Sequence, residues 1–359
     1  NSDSGFTAVA GEGYFLDTSS GTISVNLPAG SAGDVVAFKD YANTFDTNAV
    51  TLVQNGSDKI GGGTLNGILE TEGQAVTLIF IDSTKGWLVT DDGLQSSVGT
   101  GLIQATGGTV TESGDCKIHT FTGPGSFVVC KAAVSATNNL VSYMVIAGGG
   151  GSGRSFGGGG GAGGFRETKS PVTPYTASPL DGYPTPGNRI TVSAQSYPIT
   201  VGGGGAKATP SVKAGSGSTS SFSTISSAGG GGGSYSNPQP ATGVDGGSGG
   251  GGADGGTTGG TGNTPPVTPS QGNNGGNGHP PGRAGGGGGA TAVGANGTGS
   301  GAGAGGAGAT TSITGTPTAY AGGGGGYGSE GGAASGGGGG GAGGNPGVAG
   351  TANTGGGSG

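Results

Sequence analysis

VSYMVIAGGGGSGRSFGGGGGAGGFRE, residues 141–167, is the stretch on which the fold turns. A buried-strand signal over residues 140–147 runs directly into four glycines, and five more follow a short break. Glycine loses more backbone freedom on folding than any other residue and has no side chain to bury. Such a segment is disordered unless something other than side-chain burial holds it. Backbone hydrogen bonding is the obvious candidate. A glycine run can adopt the left-handed polyproline II conformation, with three residues per turn and no internal hydrogen bonds. Its N–H and C=O groups then point outward, and neighbours without Cβ atoms approach closely enough to pair with them. Residues 148–359 are therefore expected to form parallel and antiparallel polyglycine II rods, almost without α-helix.

Glycine makes up 99 of the 359 residues, and all but 21 of them follow Ile146. Further runs occupy 202–205, 229–233, 249–252, 285–289, 322–326 and 336–341. They break the Gly-X-Y period, which excludes collagen. Only 9% of residues are charged and 30% hydrophobic, which argues against one large conventional core. Residues 1–147 carry five basic and 14 acidic side chains, residues 148–359 seven and five. That is not the basic stripe of a nucleic-acid binder, and Arg154, Arg166, Arg189 and Arg283 are isolated. No apolar run approaches the roughly 18 residues of a membrane helix, so no membrane insertion is expected. The chain opens at Asn1 without an initiator Met or signal-like segment and is expected to be the C-terminal part of something longer.

Residues 1–93 read as all-β. Short apolar or alternating stretches at 14–17, 22–27, 35–39, 50–54 and 75–82 are divided by Gly, Pro, Asn and Ser turns. The clearest unit is VTLIFID, the turn STKG, then WLV, a hairpin with Trp87 capping a small core rather than serving as a ligand platform. The stretches at 11–62 and 71–89 resemble a small β-domain that recurs in phage tail fibres. The resemblance implies a homotrimer. A unit of about 90 residues with few large apolar side chains is marginal alone, and burial between subunits would stabilise it.

Residues 94–115 read as a linker. CKIHTFTGPGSFVVC, residues 116–130, is expected to be a hairpin around Gly123-Pro124-Gly125, with Ile118, Phe121, Phe127 and Val129 facing a core. In that hairpin Cys116 and Cys130 lie close but slightly offset. A disulfide is geometrically open to them, and so is a pair of reduced thiols, since phage proteins assemble in a reducing cytosol.

The opening stretch, together with ITVSAQSYPITVGGGGA and SSFSTISSAGGGGG, resembles the glycine-rich C-terminal domains of phage tail fibres and adhesins, above all those of marine phages and cyanophages. A similar combination of β-sandwich and glycine-rich bundle occurs in the ectodomain of one animal receptor tyrosine kinase family. The cysteine pair departs from the phage pattern. The resemblance implies an all-β chain: a small trimeric β-sandwich fibre domain (1–93), then a short β-sandwich extended into a polyglycine II bundle (116–359). It implies a place at the tail-fibre tip of a virion, with other virion tail proteins upstream and a host cell-surface receptor as partner.

The segments between glycine runs, 165–189, 206–213, 234–245, 257–283 and 310–320, hold most of this zone's Pro, Tyr and charge. Loops on a rigid scaffold are where recognition is usually placed, and Tyr, Asn, Ser and Gly suit adaptable binding loops. Tyr175, Tyr183, Tyr235 and Tyr320 are candidates to stack on sugar rings; Arg189, His279 and Arg283 are candidates to meet phosphate or carboxylate groups. The plainer alternative is solvated turns. Glycoside hydrolysis needs two carboxylates about 5–10 Å apart. Glu167, Asp181, Asp245, Asp254 and Glu330 read as widely separated. With two histidines, His119 and His279, neither a metal cluster nor a Ser-His-Asp set assembles. Neither catalytic residues nor metal nor cofactor is expected. A receptor-binding adhesin and a structural glycine-rich fibre without a specific ligand remain, and the absence of a regular repeat favours the adhesin.

Overall fold

A computed structural model describes residues 5–91, 101–209, 214–235, 242–328, 332–334, 343 and 347–359. The chain divides into two compact units, the first of residues 1–103 and 133–136, the second of 104–132 and 137–359. No α-helix occurs among the described residues.

The first unit contains β1 (Phe6–Thr7), β2 (Gly13–Leu16), β3 (Ile23–Asn26), β4 (Val35–Asp40), β5 (Val50–Val53), β6 (Gly67–Leu69), β7 (Ala75–Phe80) and β8 (Trp87–Val89). They form two four-stranded sheets, ordered β1-β3-β5-β6 and β2-β4-β7-β8. From β1 to β5 the chain alternates between the sheets, so β1, β3 and β5 are parallel to one another and β2 is parallel to β4. The period-two pattern sends Val25, Leu52, Leu69, Phe38 and Leu78 into one core. The expected hairpin is β7–β8, and Trp87 is fully buried against Phe80, ring centroids 5.5 Å apart. Gly86 closes its turn at φ +67°, and a Cβ there would overlap the Lys59 carbonyl. Burial alone would raise the Asp40 carboxyl. The N–H groups of Phe45, Gly73 and Thr44 outweigh it and hold the group below the usual carboxylate range.

In the second unit, the stretch expected as a linker is strand from residue 104: β9 (Gln104–Thr106) and β10 (Thr109–Ser113). Then come β11 (Cys116–Thr120), β12 (Gly125–Lys131), β13 (Leu140–Val141), β14 (Tyr143–Ile146), β15 (Phe165–Thr168), β16 (Ile190–Thr191), β17 (Ser196–Thr200), β18 (Ser220–Phe222), β19 (Ile225–Ser227), β20 (Ala309–Thr311) and β21 (Thr318–Tyr320). The hairpin expected over residues 116–130 does not form. β11 pairs with β10 through the two-residue turn Gly114-Asp115, Gly114 at φ +57°, a tighter closure than Gly-Pro-Gly offers. β12 instead joins the five-stranded sheet β19-β18-β17-β12-β9. Cys116 and Cys130 therefore lie in different sheets, and both are free thiols. His119 packs edge-on against Phe127, and its Nδ1 meets the Gly107 carbonyl at 2.8 Å.

The glycine runs are held by bonds to one another. The N–H groups of Gly158, Gly161 and Gly164 donate to the carbonyls of Ser234, Gly231 and Ala228, an antiparallel neighbour. Those of Gly159 and Ala162 donate to Gly285 and Gly288, a parallel neighbour, and those of Gly160 and Gly163 to Ser358 and Gly355. Successive donors thus point to three neighbours in rotation and return to the first every third residue. Residues 247–252 and 285–290 repeat the pattern: Ser248 and Gly251 donate to Ala162 and Gly159, and Gly286 and Gly289 to Ala295 and Ala292. Close approach explains the glycine. A Cβ on Gly159, Gly160 or Gly161 would lie 2.2, 2.1 or 2.3 Å from the carbonyl oxygens of Gly324, Gly150 and Ser248, each on a different neighbour. The run 336–341, where the sequence also calls for such packing, lies outside the described residues.

Candidate functional site

Chain direction in the second unit defines two ends. Residues 147–151 leave β14 and residues 157–164 return to β15, joined by antiparallel bonds from Gly150 to Gly161 and from Gly153 to Gly158. Residues 152–156 therefore sit at the end away from the strands, the free end. The same reasoning puts 207–209, Tyr235, 253–256, 279–282 and 298–301 at the free end, and 165–189, 263–270 and 312–317 at the sheet end. The inter-glycine loops do not gather at one end but divide between two. Tyr175, Tyr183, Arg189 and Tyr320 belong to the sheet end; Tyr235, His279 and Arg283 belong to the free end.

At the sheet end the loops are stitched to the strands by polar side chains. Glu167 is buried; it accepts from the Ser178 N–H at 2.8 Å and from the Thr311 hydroxyl at 2.5 Å. Asp181 bridges to Glu167 through the backbone and accepts from the N–H groups of Lys169 and Tyr183, both at 3.0 Å. These two residues, which look widely separated in the sequence, are thus neighbours along the backbone, because the loop folds back on β15. Both are engaged in shaping that loop. The Tyr143 hydroxyl donates to the Asn188 carbonyl at 2.6 Å, and the Asn188 amide donates to the Thr268 carbonyl at 2.8 Å. Burial, then the charge of Glu167, pushes the Tyr175 hydroxyl well above its usual range, and that oxygen lies inside. Tyr183 is half-buried under the Arg189 guanidinium, 4.3 Å from its ring centroid. Tyr320 packs against the alanine cluster of Ala162, Ala290, Ala309 and Ala321.

The free end is built differently. Phe156 is 44% exposed and meets Tyr327 perpendicularly, centroids 5.0 Å apart. His279 and Arg283 pair through both backbone groups, closing a tip over 280–282. The Gly282 N–H donates to Asp254 Oδ2 at 3.3 Å, and the Asp254 N–H to the Phe156 carbonyl at 3.2 Å. Tyr235 lines a shallow groove with Ser234, Thr242, Val244 and Asp245. The rest of the 206–213 and 234–245 loops, and Glu330, lie outside the described residues. Among the described residues, no three His, Cys, Asp or Glu side chains gather as metal ligands. Phe156 and Tyr327 were not among the candidates drawn from the sequence. The available signal was a lone aromatic set between two glycine runs, where a close-packed backbone lattice leaves it no pocket.

The signature of a glycine-rich domain matches residues 122–359. The chain belongs to this glycine-rich domain family. The bacteriophage T4 gp9/10-like protein, N-terminal signature matches residues 1–118 of the same glycine-rich chain. Baseplate wedge protein gp10 of Enterobacteria phage T4 is 40% identical over 67 residues, which is 17% of this chain and 11% of that protein. The chain thus spans about a tenth of that relative's length. Together these matches support a phage tail-fibre-like protein.

Proposed function

We propose that the chain is a distal tail-fibre adhesin of a bacteriophage, binding a host surface glycan, lipopolysaccharide or outer-membrane protein through loops on a polyglycine II lattice, without enzymatic activity. The rotation of hydrogen bonds over residues 158–164 carries this reading, since three residues per turn is the polyglycine II repeat. A lattice of that kind admits no long side chains inside, so recognition falls to its loops. The free end is favoured over the sheet end, where the tyrosines and carboxylates are committed to the fold.

The same proposal holds the first unit to be a homotrimer, mounted on upstream virion tail proteins. The outer face of β2-β4-β7-β8 supports it. Its register rows are Gly13–Ala37–Thr77, Phe15–Lys39–Ala75 and Val35–Ile79–Leu88. Phe15 is 75% exposed there, and Tyr41, just beyond β4, is 68% exposed. The single charge in these rows, Lys39, is turned to the Gly73 carbonyl. Two large aromatic side chains exposed on and beside one mostly apolar sheet face suit an interaction surface. Phe15 projects from the β-domain whose resemblance implies a trimer, so copies of this chain are the occupant.

The second reading, a tail structural component without a ligand, is favoured by the likeness to a baseplate wedge protein. Adsorption separates the two. The recombinant chain is expected to block phage adsorption to host cells. Replacing residues 279–283 with Gly-Ser should weaken the block about tenfold with melting unchanged, since tips contribute little to the lattice. No block by the native chain would favour the structural reading.

A further inference from the structure

Phe156 is the least explained side chain of the molecule. Ser155 and Phe156 hold φ of +52° and +61°, the left-handed region that a bulky side chain occupies only under strain. Burial does not compensate, since Phe156 is 44% exposed at the free end. Its ring is nonetheless in contact with its neighbours. Tyr327 meets it perpendicularly at 5.0 Å, and a Cβ on Gly282 would reach ordinary contact, 3.5 Å, with Cδ1 and Cε1. Polar residues of both signs lie on the neighbouring segments of the same end. The Asp254 N–H donates to the Phe156 carbonyl and its Oδ2 accepts from the Gly282 N–H, while His279 is exposed at the adjoining tip. Arg283 Nε is buried without a hydrogen-bond partner, and its Nη1 makes only a long 3.5 Å contact with the Gly282 carbonyl.

We propose that Phe156 is the stacking platform of a subsite for one pyranose ring of a surface polysaccharide, with Asp254, His279 and Arg283 as hydroxyl partners. This rests on the adhesin reading above and gives it a ligand class. A pyranose has an apolar C–H face that an aromatic ring covers, and a rim of hydroxyls that both donate and accept. A protein partner calls instead for a cluster of apolar anchors in a desolvated patch. Here a single exposed ring, backed by Tyr327, stands beside the tip that carries His279 and Arg283. Strain held in an exposed aromatic backed by a second ring is the arrangement expected of a pre-oriented contact residue.

The test uses the full chain on immobilised methyl α- and β-pyranosides of glucose, galactose and mannose and on host lipopolysaccharide, beside the adsorption block. The native chain is expected to bind at least one of these. Phe156→Gly should lower that binding about tenfold or more, with melting unchanged or raised because glycine relieves the positive φ. Phe156→Tyr should restore it. Glycan binding equal in the native and Phe156→Gly chains overturns the subsite, as does native binding to no probe. A block lost in Phe156→Gly and abolished by protease treatment of the cells makes the occupant a protein and also overturns it. If the native chain fails to block adsorption but binds a glycan through Phe156, the adhesin reading falls and the subsite stands.

Discussion

Gly160→Val is expected to destabilise the glycine-rich unit by about 3 kcal/mol or more, whereas Gly203→Ala leaves it unchanged. Both positions lie in glycine runs of the same unit, so composition does not distinguish them. Space does. A Cβ at residue 160 would stand 2.1 Å from the Gly150 carbonyl oxygen, and the Gly160 N–H is bonded to Ser358. To admit it, a neighbouring rod must move and break bonds that repeat every third residue. At Gly203, which is exposed, an added Cβ meets nothing within 4 Å. Calorimetry should show the melting transition of the glycine-rich unit lowered by roughly 5–10 °C for the first variant and unmoved for the second. Equal effects would mean that the runs are not packed backbone to backbone.

Phe15→Asp is expected to convert a trimer into a monomer without unfolding the first unit. In the single chain this side chain is 75% exposed, so a carboxylate there disturbs no intramolecular packing. Between copies it would bury an unpaired charge in an apolar interface, a cost that an interface of ordinary size does not survive. Light scattering should report three times the 32.9 kDa chain mass for the native protein and one chain mass for the variant. A native protein that is a stable monomer contradicts the trimer, and a variant that remains trimeric moves the interface away from this face.

Much of this architecture was legible in the sequence, for identifiable reasons. Period-two alternation gave the strands of the first unit and the β7–β8 hairpin, because one face of each strand meets a real core around Trp87. Strands β1 and β6, two and three residues long, carry too little pattern to be seen. Lateral backbone pairing of the glycine runs followed from the missing Cβ atoms. The 116–130 hairpin failed because β11 and β12 both alternate, and alternation does not say which neighbour a strand takes. The buried Glu167 and its partner Thr311 are 144 positions apart, a separation that no local pattern reports. Splitting of the loops between two ends was also hidden. It depends on how many rods lie between one loop and the next, and therefore on which glycine runs turn back.

Amide hydrogen exchange across residues 158–164, read by NMR on protein labelled at glycine and alanine, tests the central claim most directly. Every N–H in this segment donates to the carbonyl of another segment at 2.8–3.1 Å, although the segment, before Phe165, contains neither helix nor strand. The account predicts strong protection at all seven amides, comparable to that in β12 and β17, while residues 203 and 204 on the exposed edge exchange faster. Exchange of residues 158–164 at the rate of an unstructured glycine peptide would contradict it.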